Sequence, residues 1–122
     1  ALRVAHCSDL ACSDPATITT VDGGGGEAVG LHSSIAVGAD GLPVISYHDL
    51  TNADLKVAHC SDVSCTTATV TAVGTGGDVG RYSVITVGAD GLPVISYQDG
   101  DNKDLQVVHC GNVFCIPYAR PW

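Results

Sequence analysis

The strongest constraint on this chain is an internal repeat of about 50 residues. The segment VGADGLPVISY occurs at residues 37–47 and again, without a single change, at residues 87–97. A second motif contains a His-Cys pair and ends on a further cysteine. It occurs three times, as LRVAHCSDLAC (2–12), LKVAHCSDVSC (55–65) and LQVVHCGNVFC (105–115).

These repeats define the organisation of the chain. Copies of the second motif begin 53 and 50 residues apart, and the difference falls in a glycine-rich stretch where a loop tolerates it. The length of 122 residues suits one compact domain. We therefore expect a single repeat domain over 1–122, with units at 2–54 and 55–104 and a partial unit at 105–122.

Each complete unit is expected to contain four short β-strands. The expected strands span 34–37, 43–48, 55–60 and 67–73, and they alternate with turns rich in Gly, Asp and Asn. An Asp-Gly pair at 40–41 is typical of a tight hairpin turn. No segment has a helical periodicity of useful length. The sequence therefore predicts an all-β protein of antiparallel strands.

Four antiparallel strands in about 50 residues match one blade of a β-propeller. The chain holds two strands in its first part and four in each later part, which makes about two and a half blades. Because the units repeat in the same order with almost the same sequence, we favour blades. A duplicated β-sandwich is the alternative.

The pattern G-x-Y-S-x-I, followed by DGLPVISY and then by DL-x-VAHC, resembles the tandem repeats of sialidase-like (BNR-type) β-propellers of secreted bacterial proteins. This resemblance covers nearly the whole chain and implies a propeller fold. Many such repeats carry an Asp-box, S-x-D-x-G-x-x-W. The corresponding turns here are CSDLAC, CSDVSC and CGNVFC, in which a cysteine pair closes the turn and the Gly and Trp of the box are missing.

The six cysteines are arranged as three pairs with the spacing C-x4-C. Residues that face each other across a hairpin have Cα atoms about 4.5 to 5.5 Å apart, which is within reach of a disulfide. A small disulfide-rich domain indicates an oxidising compartment, so we expect an extracellular protein, secreted or at the cell surface. The predicted disulfides are Cys7–Cys12, Cys60–Cys65 and Cys110–Cys115.

A histidine precedes the first cysteine of every pair, at His6, His59 and His109. A metal site built from His and Cys is therefore an alternative to the disulfides. Adjacent residues on a strand point to opposite faces, so a His and its neighbouring Cys do not easily share one ion. We favour packed, hydrogen-bonded histidines, and we expect no cofactor.

Acidic turns occur at 49–54 (DLTNAD) and 99–104 (DGDNKD). Their oxygen atoms are a weak candidate for binding Ca²⁺, although the EF-hand pattern is not met. Asx turns, in which Asp and Asn bond their own backbone, are favoured over a metal. The calcium candidates are Asp49, Asn52, Asp54, Asp99, Asn102 and Asp104.

Composition excludes several classes of function. With 13 acidic and 5 basic residues, the net charge is −8, which repels phosphate backbones and makes nucleic acid an unexpected partner. No stretch approaches the roughly 20 apolar residues that span a bilayer. A first residue Ala1 and the lack of Met are typical of a mature or excised product. No nucleophile elbow or Ser/His/Asp pattern is present, so we expect no enzyme and no catalytic residue.

Because a propeller needs at least four blades, two and a half cannot close a ring. The chain is either a fragment of a longer array or a module that assembles with itself. We favour a non-enzymatic, extracellular structural or surface module that forms a homo-oligomer or a head-to-tail filament. In its tail, Tyr118 and Trp122 are candidate anchors for assembly.

The alternative function is a glycan-binding, lectin-like propeller in which each repeat offers an equivalent site. A sialidase-like glycoside hydrolase is less favoured. The candidate ligand-binding residues are Tyr47, His48, Tyr97 and Gln98.

Overall fold

A computed structural model describes residues 1–13, 16–26, 28–75 and 77–115. Within these ranges the chain forms nine β-strands and no helix. The strands are β1 (Leu2–His6), β2 (Thr17–Asp22), β3 (Val29–Val37), β4 (Pro43–Asp49), β5 (Asp54–Cys60), β6 (Ala68–Gly74), β7 (Val79–Val87), β8 (Pro93–Asp99) and β9 (Asp104–His109).

The strands form three antiparallel sheets. The first sheet is the pair β1-β2, the second has the order β3-β4-β5-β6, and the third has the order β7-β8-β9. The prediction of an all-β protein with antiparallel strands is confirmed. Over the described part of the chain, the sheets of two, four and three strands do not close into a ring. The tenth expected strand lies outside the described residues.

Strand β3 begins at Val29, five residues before the expected start at Ser34. Gly30 and His32 have positive φ angles of 95° and 52°, and the pairing of β3 with β4 shifts register on either side of Leu31. Because of these irregularities, the residues at the start of β3 do not alternate strictly between the two faces of the sheet, so the sequence pattern does not reveal where the strand begins. Strand β7 has the same irregularities at the equivalent positions, so the repeat extends to its unusual backbone angles.

All three predicted disulfides are present, with Cα–Cα separations of 4.9, 4.8 and 4.7 Å in chain order. The expected hairpin register is wrong in one respect. Cys60 pairs across the ladder with Ala68, so Cys65 lies inside the connection and not on the opposite strand. Its N–H donates to the carbonyl of Asp62 at 3.1 Å, and its φ is +57°. Each disulfide therefore closes the first turn of a connection.

Three disulfides in a domain of this size are consistent with an extracellular protein. The described residues contain no helix that is long and apolar enough to cross a membrane.

Candidate functional site: the faces between the sheets

The sheets stack face to face, and each of the two junctions encloses an apolar cluster. The same positions of the repeat build both clusters, so the two junctions are copies of one another. The first contains Leu2, Val4, Val29, Ile45, Tyr47, Ala58, Cys60 and Cys65. The second contains their counterparts Leu55, Val57, Val79, Ile95, Tyr97, Cys110 and Cys115, together with Val44 and Ile85.

In each junction, a glycine of one sheet lies against a leucine near the start of a strand in the preceding sheet. A Cβ atom on Gly30 would lie 2.9 Å from the Cα of Leu2, and one on Gly80 would lie 2.7 Å from the Cα of Leu55. These leucines are 4% and 0% exposed. Leu105 occupies the same position in the third sheet and is 79% exposed, since no described segment covers it.

Hydrogen bonds fix the junction between the second and third sheets. The hydroxyls of Ser46 and Ser83 lie 2.9 Å apart, and the Ser83 hydroxyl also donates to the carbonyl of His32 at 3.0 Å. The His48 Nδ1 donates to the carbonyl of Val79 at 3.0 Å, and the Val79 N–H donates to the carbonyl of Ala53 at 3.1 Å. The start of β7 is therefore held by both its apolar side chains and its backbone.

A polar network ties the first sheet to the second. The Tyr47 hydroxyl donates to Asp22 at 2.7 Å, and the Lys56 ammonium lies 3.1 Å from Asp22 and 3.3 Å from Asp49. Burial, followed by the neighbouring Asp22 carboxylate, raises the pKa of Tyr47 far above its ordinary value. Because the phenol stays neutral and is buried, this network is suited to holding the sheets together.

Lys56 and Asp49 of this network are both charged. Burial opposes the charge on Lys56, but its two carboxylate partners outweigh that effect and raise the pKa of Lys56. Burial likewise opposes the charge on Asp49, but hydrogen bonds from Asn52 and Lys56 lower the pKa of Asp49. A paired cation and anion of this kind stabilise each other between the sheets.

The predicted packed, hydrogen-bonded histidine is confirmed at His59. Its Nε2 lies 2.7 Å from the carboxylate of Asp40, and its ring packs edge-on against Phe114 with the centroids 4.5 Å apart. The backbone N–H of Leu42, and then His59, hold the pKa of Asp40 below its usual range. His6 and His109 lie on the surface, and His109 makes the equivalent contact with Asp90 at 2.6 Å.

The acidic turns contain the expected Asx hydrogen bonds. Asp49 accepts from the backbone N–H of Asn52 at 3.1 Å and from its side-chain amide at 2.8 Å. Asp99 and Asn102 repeat both bonds at 3.2 and 2.9 Å. Their side-chain oxygens are therefore engaged within the turn. Across the described residues, no group of three or more His, Cys, Asp or Glu side chains is placed to hold a metal ion.

The candidate ligand-binding residues differ in accessibility. Tyr47, His48 and Tyr97 are buried between the sheets, so their side chains present almost no surface to a glycan. Gln98 is partly exposed and lines a cavity of about 300 Å³ with Tyr82 and the start of β9. In the second sheet, the equivalent cavity is filled by the beginning of β7.

The candidate assembly anchors Tyr118 and Trp122 lie outside the described residues. The junction glycines Gly30 and Gly80 were not predicted as functional, although the Val-Gly pairs at 29–30 and 79–80 recur at equivalent positions and were the available signal.

The chain therefore uses one kind of junction twice, and the third sheet has a copy of the same leucine face that no described segment covers. Comparisons with protein-family models, with curated proteins and with solved structures find no match to this chain.

Proposed function

We propose that this chain is a non-enzymatic, extracellular structural module, built of propeller-type blades, that assembles with further copies of its own repeat. The sialidase-like propellers provide the model for the blades. The assembly is a homo-oligomer or a head-to-tail filament in which the uncovered face of the third sheet is one contact surface.

The observation that carries this proposal is the exposure of Leu105 at 79%, against 4% and 0% for Leu2 and Leu55. Val107 follows the same rule, being 61% exposed where Val4 and Val57 are buried. Two junctions within the chain already demonstrate what such a face packs against. A third face with the same residues is therefore suited to the same kind of contact.

The energy available at this face is substantial. Fully burying a Leu or Val side chain is worth about 1.5 to 3 kcal/mol, so Leu105 and Val107 together could supply roughly 3 to 6 kcal/mol. Association costs about 4 to 15 kcal/mol of translational and rotational freedom, so these two side chains do not drive it alone. The rest of the face must contribute, and we expect association at high local concentration, as on a surface or within an array.

Sedimentation velocity of the oxidised protein tests this proposal. We expect association that grows with protein concentration and that Leu105→Arg abolishes. Leu10→Arg is the matched control, because Leu10 is a fully exposed leucine in the loop of the first disulfide. Association that survives Leu105→Arg, or that Leu10→Arg disrupts equally, would refute the assignment of this face.

A glycan-binding role is the second candidate, and the cavity beside Gln98 favours it. Tyr82, Lys103 and Asp104 also line this cavity, and an exposed aromatic ring beside polar groups suits a sugar. Glycan-array binding that Tyr82→Ala removes would support this role. The assembly proposal predicts no such binding.

A further inference from the structure

Strand β1 has one edge that no other described strand pairs with. Its partner β2 occupies the other edge. The equivalent strands β5 and β9 each have a partner at this position, namely β4 and β8. An unpaired strand edge presents free N–H and C=O groups that can accept another strand.

Beside this edge lies a groove of about 240 Å³. One wall is β1, at residues 2–5, and the other is formed by residues 33–35 of β3 and Ile45 of β4. The groove therefore combines a backbone edge with an apolar floor, which is the arrangement that strand addition uses.

The floor of the groove contains residues that are buried in the other copy of the repeat. Ile35 is 57% exposed, whereas its counterpart Ile85 is 5% exposed. Ser33 is exposed, whereas Ser83 is buried and bonds to Ser46 and to the carbonyl of His32. The hairpin β3–β4 is what covers Ile85 and Ser83.

The edge of β1 and the exposed floor of the groove therefore both lack the contacts that a single hairpin makes at the equivalent surfaces of the second and third sheets. In the second sheet, β4 pairs with β5, and the hairpin β3–β4 also covers the floor formed by β7. One hairpin of this type would satisfy both surfaces of the groove at once. Its strand sequence, Pro-Val-Ile-Ser-Tyr, is identical at 43–47 and 93–97.

We propose that the groove beside β1 binds a β-hairpin of this same repeat, donated by a second copy, with its Pro-Val-Ile-Ser-Tyr strand paired antiparallel to β1. The register of β4 against β5 sets the register here. The Ile of the incoming strand lies opposite Ala5, its Ser opposite Val4 and its Tyr opposite Arg3. The incoming Ser then faces the free hydroxyl of Ser33, as Ser46 faces Ser83.

This inference rests on the proposed function for the identity of the donor, but the groove lies at the opposite end of the chain from Leu105. In the donor copy, β8 is paired with β9, so donation of β7–β8 exchanges β9, with its Leu105, for the β1 of the acceptor. Residues 105–109 therefore lose hydrogen-exchange protection in this exchange, whereas they gain protection when another copy covers the intact Leu105 face. The motif LQVVHC of β9 closely matches LRVAHC of β1, which makes this exchange conservative in sequence.

The probe is a synthetic peptide of residues 82–99, which omits the Val79-Gly80 pair that packs on Leu55, titrated into the oxidised 122-residue protein by calorimetry. Hydrogen exchange should show new protection at residues 2–6 and not at residues 105–109. Ile35→Arg should weaken binding roughly tenfold or more, because it places a charge on the apolar floor. Ala5→Arg is a second variant, and both side chains are exposed, so neither change disturbs a core.

Val63→Arg is the matched control, since it adds the same charge at a valine that is 56% exposed, close to the 57% of Ile35, and that lies in the loop of the second disulfide, so it should leave peptide binding unchanged. In the peptide, Ser96→Lys should weaken binding if the register is right. Lack of peptide binding, or binding that Ile35→Arg and Ala5→Arg leave intact, would overturn the groove proposal. Peptide binding to a protein that never self-associates would instead overturn the donation by a second copy and the proposed function, while the groove as a hairpin site stands.

Discussion

Gly80 lies against the backbone of Leu55 so closely that a Cβ atom on the glycine would be 2.7 Å from the leucine Cα. Gly30 has the same relationship to Leu2 in the preceding junction. Both glycines have positive φ angles, at 98° and 95°. Successive sheets can therefore approach each other this closely because glycine has no side chain at these two positions.

This closeness predicts a large effect of Gly80→Ala. Gly26→Ala is the control, because Gly26 has a φ of 94° but open space around its missing Cβ. The control should lose about 1 kcal/mol of unfolding free energy from its φ angle alone. Gly80→Ala should lose roughly 2 to 4 kcal/mol, because the new methyl also collides with backbone. Equal losses in urea unfolding would show that the close approach is unimportant.

Acid should destabilise the protein through its bonded carboxyl groups. Burial opposes ionisation of Asp49, yet its hydrogen bonds from Asn52 and Lys56 lower its pKa below the ordinary value of 3.8. A carboxyl with a lower pKa in the folded state contributes stability that is present above pH 3.8 and is lost as the pH falls through the folded value. We therefore predict that the unfolding free energy declines below about pH 4.

Asp49→Asn should flatten part of that decline and should also cost about 1 to 2 kcal/mol at neutral pH, because Lys56 loses a charged partner. Asp104→Asn is the comparison, since Asp104 is exposed at the start of β9. Urea titrations at several pH values measure both effects. The same pH slope in Asp49→Asn and the unmodified protein would contradict the role given to this carboxylate.

The three disulfides should open in a definite order. Cys12 is exposed and Cys7 partly so, whereas Cys60 and Cys65 are fully buried. Since exchange needs access of a thiolate to the sulfur, mild reductant without denaturant should open Cys7–Cys12 first and Cys60–Cys65 last. Alkylation and mass spectrometry follow this order. Simultaneous opening of all three would mean that reduction proceeds through global unfolding.

Losing one disulfide should leave the protein folded. A closed loop of about six residues contributes roughly 2 kcal/mol in the chain-entropy model, which is part of the stability of a typical domain. The circular dichroism spectrum after selective opening of Cys7–Cys12 should therefore retain its β-sheet form.

Local features of the repeat were predictable from sequence. The spacing C-x4-C located all three disulfides, and alternation placed β4, β5 and β6 to within one residue. These predictions succeed because the position of a strand and the closure of a short disulfide loop depend mainly on residues that are close in sequence. The packed, hydrogen-bonded setting of His59 agrees with the prediction, whereas the packing predicted for His6 and His109 is wrong, because both are exposed.

The junctions were not predictable in this manner, because their contacts join residues about 50 positions apart. Gly80 meets Leu55 only after β7 folds over β5, and it ends a glycine-rich run at 74–80 that has the composition of a loop. Tyr47 looked like a ligand-binding aromatic because an alternating pattern does not reveal which face another sheet covers. That information comes only from the structure, in which equivalent positions of the repeat differ in burial.

The central claim is that another copy of the repeat completes the face around Leu105. Gel filtration with light scattering across a wide concentration range tests it most directly, with hydrogen exchange on the same samples. We predict masses that rise above 12.4 kDa in whole multiples, with growing protection of residues 105–109. A particle of 12.4 kDa at every concentration, with unchanged exchange at those residues, would contradict it.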